Sequence, residues 1–92
     1  MWDEGARIGI HQRAFKHQLT QEQIVTAVEI GVRFARICEP DTRTEPQRWG
    51  VIGFDQAGRQ IELVIVHAPG GVFVIHANYL TKGFEQDMRN AR

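Results

Sequence analysis

The sequence is most informative over residues 48–77, which read RWGVIGFDQAGRQIELVIVHAPGGVFVIHA. Three runs rich in β-branched residues, 48–54, 60–67 and 72–77, are separated by short segments that contain glycine together with aspartate or proline. Short turns of this kind between β-rich runs predict an antiparallel meander. Residues 61–66 are nearly all apolar, which predicts a middle strand that is covered on both faces.

Helices and shorter strands are expected on either side of this meander. Thr20 and Gln23 have the spacing of a capping box, and apolar residues then recur at helical spacing, which predicts a helix that stops near Gly31. The remaining elements are expected at residues 7–10 (a short strand), 11–18 (a short helix), 33–38 (an edge strand), 39–47 (a solvated loop) and 81–90 (a helix).

Length and composition limit the class of protein. The 92 residues allow one domain, 1–92. We expect an α+β fold with a short N-terminal strand, two helices, an antiparallel sheet of three to four strands and a C-terminal helix. Lys plus Arg and Asp plus Glu number 11 each, which argues against a strongly basic coat protein for nucleic acid but permits a local basic patch.

The same composition bears on the cellular compartment. The sequence contains a single cysteine, Cys38, which cannot form an internal disulfide. Its apolar runs are shorter than the roughly 20 residues that span a bilayer, and its N-terminus lacks a signal-peptide pattern. These features predict a cytoplasmic protein with no membrane association.

The predicted register places several candidate site residues on one face of the sheet. Continuing the pairing from the two predicted turns puts Gly50, Leu63 and His76 in one cross-strand row. Arg48 lies on that face two residues away, so its Cα would be about 12 Å from that of His76, and one ligand could touch both. His67 is expected on the same face, about 13 Å from His76 along the strands, which is too far for one metal ion.

Other kinds of site are disfavoured. The four histidines lack the spacing of a ligand pair on one helix and Cys38 has no cysteine partner, so we expect neither a metal ion nor a cofactor. The sequence has no serine for a Ser-His-Asp arrangement. Trp49 and Phe73 are expected on the face opposite His76, in the core, which leaves Tyr79 as the aromatic side chain most able to stack on a base.

Three motifs occur in a distinctive order. A Lys-His pair precedes a Thr-capped helix (14–27, AFKHQLTQEQIVTA), a hairpin follows (49–67, WGVIGFDQAGRQIELVIVH), and a strand ends in IHA (72–77). From about Ile8 to Glu85 this arrangement resembles the BrnT-like toxins of bacterial type II toxin–antitoxin pairs. The resemblance implies a small α+β protein of the RelE-like ribonuclease group, which cuts RNA without a metal and is neutralised by a cognate antitoxin, commonly a DNA-binding repressor.

Cleavage of this kind defines the groups that a site must contain. One group accepts the 2′-hydroxyl proton, another protonates the 5′-oxygen, and cations stabilise the phosphoryl oxygens. Histidine suits both proton transfers because its usual pKa lies near neutrality. The resemblance implicates Lys16 and His17, and the sheet register implicates Arg48 and His76. The expected site therefore has His17 and His76 as catalytic residues and Lys16, Arg48, Tyr79 and Lys82 as substrate-binding residues.

Structural interpretations of these residues remain open. A histidine near a helix end, such as His17, is more often a cap or a hydrogen-bonded core residue, and His76 fits the core as well as a site. Lys16 and Arg48, each taken alone, fit solvated charges.

Two functions of different class follow. One is a toxin-type endoribonuclease with an RNA substrate and an antitoxin partner. The other is a catalytically degenerate, non-enzymatic interaction module of the same fold that acts through protein partners. Either could form a homo-oligomer. A regulatory nucleic-acid binder without chemistry is disfavoured because no recognition-helix pattern is evident.

Overall fold

The computed structural model describes residues 7–31, 36–37 and 47–90 of the chain. Within these residues two α-helices and a 3-10 helix accompany one five-stranded sheet, which is an α+β fold. The elements are β1 (Arg7–Ile10), the 3-10 helix (Gln12–Phe15), α1 (Gln21–Gly31), β2 (Arg36–Ile37), β3 (Arg48–Phe54), β4 (Gln60–Ala68), β5 (Gly71–Tyr79) and α2 (Lys82–Arg89).

The sheet is mixed, with strand order β1-β5-β4-β3-β2. The strands β3, β4 and β5 form the predicted antiparallel meander, and β2 pairs antiparallel with β3. At the other edge, β1 pairs in parallel with residues 71–74 of β5. The expectation of a wholly antiparallel sheet of three to four strands is therefore wrong at this edge. Two parallel strands need a long crossover, and here the 3-10 helix, α1 and the rest of the meander lie between them.

The expected helix over residues 11–18 is a short 3-10 helix. His11 caps it, because its Nδ1 accepts a hydrogen bond of 3.0 Å from the backbone N–H of Arg13. At Gln18 the backbone has φ of 66°, in the left-handed region that an α-helix cannot continue through. The chain turns there and brings Leu19 into the core.

Both α-helices begin where local sequence predicts. The Thr20 N–H donates to Gln23 Oε1 at 2.9 Å and the Gln23 N–H donates to Thr20 Oγ1 at 3.1 Å, which is the predicted capping box of α1. Gly31 is the last residue of α1. At the start of α2, Thr81 Oγ1 accepts a hydrogen bond of 3.3 Å from the N–H of Phe84.

The core lies between α1 and one face of the sheet, which we call the covered face. Gly53 of β3 lies directly against α1, since a Cβ there would overlap the carbonyl oxygen of Ala27. Trp49 packs against this core, as predicted. The buried apolar residues that cluster in this core are Ala14, Leu19, Ile24, Ala27, Val28, Val51, Ile61, Leu63, Ile65, Val72, Val74 and Ala77.

The register between β3 and β4 is displaced by one residue from the predicted one. The predicted register pairs Phe54 with Arg59. In the structure Phe54 pairs with Gln60, because the side chain of Asp55 organises a longer turn. Its Oδ1 accepts hydrogen bonds of 2.9 Å from the N–H groups of Ala57 and Arg59.

A β-bulge in β5 displaces the register a second time. His76 pairs with Val64 while Val74 pairs with Ile65, so Ile75 is the extra residue. The predicted row of Gly50, Leu63 and His76 is therefore wrong in its middle member, which is Val64.

The bulge also changes which residues share a face. His67 pairs with Val72 on the covered face, whereas His76 lies on the opposite face, which we call the second face. Phe73 pairs with Val66 and shares the second face with His76. The predictions that His67 would share a face with His76, and that Phe73 would lie opposite His76 in the core, are both wrong.

Some of the predictions concern residues that the structure does not describe. Cys38 and residues 39–46 of the expected loop lie outside the described residues. Among the helices that are described, none has the length and apolar character needed to cross a membrane.

Candidate functional site

Side chains from four parts of the chain meet on the second face where α2 begins. We call this group the histidine cluster. His76 comes from β5 and Glu62 from β4, Thr81 and Phe84 belong to the start of α2, and His17 follows the 3-10 helix. The order of β4, β5 and α2 brings them together, because Leu80 alone separates β5 from Thr81.

Two histidines, far apart in sequence, are neighbours in this cluster. The ring centroids of His17 and His76 are 5.7 Å apart, with an interplanar angle of 76°. Phe84 stacks on His76, with ring centroids 6.5 Å apart and an interplanar angle of 23°. His17 is exposed and the side chain of His76 retains 36% of its accessible surface, so a ligand in solution can reach both rings. Neither histidine is a core residue.

Glu62 is the buried acidic partner of His76. Its Oε2 lies 2.8 Å from His76 Nε2, and its Oε1 accepts hydrogen bonds from the Thr81 N–H (2.7 Å) and the Thr81 hydroxyl (2.6 Å). The residue is 4% exposed. A charged group in such surroundings requires partners for both oxygens, and Glu62 has them.

Sequence reasoning missed Glu62, although a signal was present. It is the one charged residue within the apolar run 61–66. An acidic residue inside a strand that is expected to be buried on both faces must have a specific partner, because burial of an unpaired carboxylate is costly. That signal, followed through, would have directed attention to a partner on a neighbouring strand.

The predicted phosphate-binding residues either adjoin the cluster in sequence or lie on the same face of the sheet. Lys16 directly precedes His17, and Lys82 directly follows Thr81 as the first residue of α2. Arg48 lies on the second face, and the observed register again puts its Cα about 12 Å from that of His76. All three residues are exposed, and within the described parts of the chain none of them forms an ion pair.

Tyr79 is not brought into the cluster. It pairs with the core residue Ile61 and therefore lies on the covered face. Its hydroxyl accepts a hydrogen bond of 3.1 Å from the side-chain amide of Gln23, and the Arg59 guanidinium lies 5.3 Å from the centre of its ring. Tyr79 is 39% exposed, but a base stacked there would be on the other side of the sheet from His76.

A second network of polar groups is centred on Asp55, next to Tyr79. Burial raises the pKa of Asp55, but hydrogen bonds from the N–H of Arg59, the amide of Gln23 and the N–H of Ala57, together with the Arg59 guanidinium, lower it more. The net result is a pKa below the ordinary aspartate value. The network joins the β3–β4 turn to α1 and has all its partners within the protein, so we assign it a structural role.

The other histidines do not join the cluster. His11 caps the 3-10 helix and contacts the edge of Phe73, with ring centroids 5.8 Å apart. His67 contacts the edge of Trp49 on the covered face, with ring centroids 5.6 Å apart. In the described part of the chain, no three His, Cys, Asp or Glu side chains are grouped so that they could hold a metal ion.

Known proteins offer no further assignment. Comparison of the chain with protein-family models, with curated proteins and with solved structures gave no match. The resemblance to BrnT-like toxins therefore stays a prediction from the three motifs of the sequence.

Proposed function

We propose that this protein is a metal-independent endoribonuclease, the toxin of a bacterial type II toxin–antitoxin pair. The observation that carries the proposal is the contact between the exposed His17 and the half-exposed His76, whose Nε2 is bonded to the buried Glu62. Two neighbouring imidazole rings, one of them hydrogen-bonded to a carboxylate, supply both the acid and the base that cleavage of RNA needs.

In the proposed reaction His76 is the general base. It accepts the proton of a ribose 2′-hydroxyl, and the 2′-oxygen attacks the adjacent phosphorus. The positive charge that His76 gains is stabilised by the Glu62 carboxylate at 2.8 Å. His17, protonated and exposed, is the general acid and donates a proton to the departing 5′-oxygen as its bond to phosphorus breaks. The products are a 2′,3′-cyclic phosphate and a 5′-hydroxyl.

The surrounding cations complete the proposed site. Lys16 and Lys82 each adjoin a cluster residue in sequence and would hold the phosphoryl oxygens. Arg48, whose Cα is about 12 Å from that of His76, would bind a neighbouring phosphate. Their attraction for RNA is local, because the formal net charge of the chain is zero. Affinity should therefore depend on a few contacts and fall with salt concentration according to their number.

The biological setting of the proposal comes from the resemblance. A BrnT-like toxin acts in the bacterial cytoplasm, where it is neutralised by an antitoxin that is commonly a DNA-binding repressor. The α+β fold, with its meander and C-terminal helix, is compatible with the RelE-like group. A gene for a short repressor beside this one, and growth arrest on induction that the neighbour relieves, would support this setting.

The test is RNA cleavage by purified protein in the presence of EDTA, on free RNA and on messenger RNA bound to ribosomes. We expect His17→Ala and His76→Ala each to reduce the cleavage rate by about 100-fold or more, and the double variant to abolish it. His67→Ala is the matched control, because it removes an exposed histidine from the other face. If wild-type protein cleaves RNA and the double variant cleaves it equally fast, these histidines are not the catalysts.

A second candidate function is a non-enzymatic module that acts through protein partners. Apolar side chains elsewhere on the second face favour it, because Phe54 is 41% exposed and Ile52, Val64 and Val66 are only partly buried. Such a surface is typical of sites that bind other proteins. This function predicts that the double histidine variant retains the full effect of the wild-type protein on cell growth.

A further inference from the structure

The hydrogen bonds of Glu62 determine which nitrogen of His76 carries the proton. We infer that Glu62 is a positioning residue that keeps the proton of the neutral His76 ring on Nε2 and leaves Nδ1 as the atom that accepts the substrate proton. This deepens the proposed function and depends on it for the identity of the reaction, whereas the tautomer itself follows from the contacts of the cluster.

The side chain of Thr81 fixes the orientation of the carboxylate. The Thr81 hydroxyl oxygen accepts a hydrogen bond of 3.3 Å from the N–H of Phe84, so its single proton is free to be donated to Glu62 Oε1 at 2.6 Å. The Thr81 N–H donates to the same oxygen at 2.7 Å. An oxygen that receives two donors must act as an acceptor, which places the Oε1 atom of Glu62 towards Thr81.

The other oxygen of Glu62 then sets the tautomer of His76. Oε2 lies 2.8 Å from His76 Nε2, and one proton must lie between them. A carboxylate offers only acceptor atoms, so the proton in this contact belongs to Nε2. A neutral imidazole has one donor and one acceptor nitrogen, which makes Nδ1 the acceptor. Within the described residues no hydrogen bond to a protein group occupies Nδ1 of His76.

The arrangement also restrains the plane of the ring. Phe84 stacks on one face of His76 while Glu62 holds Nε2, so rotation of the imidazole would break one contact or the other. Both restraints depend on the first turn of α2. Phe84 lies within that turn, and Thr81, its N-cap, holds Glu62. The start of α2 therefore positions the base, as a carboxylate does for a catalytic histidine.

Glu62→Gln tests the inference because a glutamine has one acceptor and one donor end. The two donors of Thr81 require the amide oxygen at the former Oε1 position, which turns the amide N–H groups towards His76 Nε2. That nitrogen must then accept, and the proton of the neutral ring moves to Nδ1. We expect ¹⁵N chemical shifts of the His76 ring, recorded at a pH where it is neutral, to report Nε2–H in the wild type and Nδ1–H in the variant.

Activity should follow the tautomer. If RNA is cleaved, Glu62→Gln should lower kcat by about 100-fold or more with little change in KM, because substrate binding is retained while the accepting atom is lost. Glu85→Gln is the matched control: it makes the same chemical change in α2, on a side chain that is 45% exposed and paired with Arg89. We expect it to leave both the His76 shifts and kcat unchanged.

The outcomes separate this inference from the proposed function. A wild-type ring with its proton on Nδ1 would overturn the inference, and that measurement needs no variant to fold. A Glu62→Gln protein that keeps both the Nε2–H tautomer and full kcat would also overturn it. The predicted tautomers in a protein that cleaves no RNA would leave Glu62 as the positioning residue and reject the ribonuclease.

Discussion

The two faces of the sheet contain alternate residues of the same strands but are built differently. On the covered face of β4, Ile61, Leu63 and Ile65 are at most 1% exposed and pack in the apolar core with α1. On the second face, α2 is attached where Glu62 binds both Thr81 and His76. Close apolar packing contributes stability, whereas a chain of hydrogen bonds fixes the orientation of particular groups. Damage to the covered face should therefore lower stability, and damage to the histidine cluster should lower the proposed RNA cleavage.

The largest difference in stability is expected between alanine substitutions at two adjacent residues of β4, one on each face. Leu63→Ala should lower the free energy of unfolding by about 2–5 kcal/mol, because it leaves a cavity in the core. Val64→Ala, on the second face and only partly buried, should cost about 1 kcal/mol. Denaturant unfolding of both variants measures the difference. Equal losses would contradict the assignment of the core to one face.

Substitution of two glycines, one packed against α1 and one in α2, tests the same difference between the packing of the two faces. A Cβ at Gly53 would overlap the Ala27 carbonyl oxygen, so Gly53→Ala should force α1 away from the sheet and cost about 1–3 kcal/mol or more. A Cβ at Gly83 in α2 meets nothing within 4 Å, and Gly83→Ala should stabilise the protein by about 0.5–1 kcal/mol. Thermal unfolding of the two variants gives the test. Destabilisation by both would show that α2 is packed more tightly than the structure indicates.

A smaller effect on stability is expected from Asp55, whose network joins the β3–β4 turn to α1, and this effect depends on pH. The pKa of Asp55 is lowered in the folded protein, so at acidic pH the unfolded chain binds a proton that the folded chain resists. The stabilisation is complete above the unfolded aspartate pKa of about 3.9 and is lost as the pH falls through the lower folded value. Asp55→Asn should be less stable than the wild type at neutral pH and should lose less stability on acidification.

The free energy of unfolding, measured against pH for both proteins, gives the two slopes. Asp87→Asn, which changes an exposed aspartate of α2, is the control and should retain the slope of the wild type. Parallel curves for Asp55→Asn and the wild type would show that the network around Asp55 does not favour its charged form.

Features encoded within a few residues were predictable, and features that depend on distant contacts were not. The capping box of Thr20 and Gln23 and the N-cap at Thr81 act over three residues, so sequence alone located both helix starts. The bulge at Ile75 has no marker in VFVIHA, and the parallel partner of β1 lies about sixty residues along the chain. Neither could be inferred from turns, since both depend on how the finished sheet is packed.

The candidate site shows the same division. The motif resemblance pointed to His17 and the register pointed to His76, and the structure places the two rings 5.7 Å apart. His76 lies in one row with Gly50 as expected, because the register shift between β3 and β4 and the bulge in β5 cancel each other. The charge of Glu62 is visible within the apolar run, but its partners on β5 and α2 are brought to it only by the fold, so sequence alone did not identify them.

The chemical form of the RNA ends tests the central claim most directly. Wild-type protein, incubated with RNA in EDTA, should produce 2′,3′-cyclic phosphate and 5′-hydroxyl ends, and DNA of the same sequence should remain intact because it lacks the 2′-hydroxyl. His76→Ala should not produce these ends, whereas His67→Ala should produce them at the wild-type rate. Ends with a 5′-phosphate, or equal cleavage of the DNA, would contradict a mechanism in which His76 accepts the 2′-hydroxyl proton.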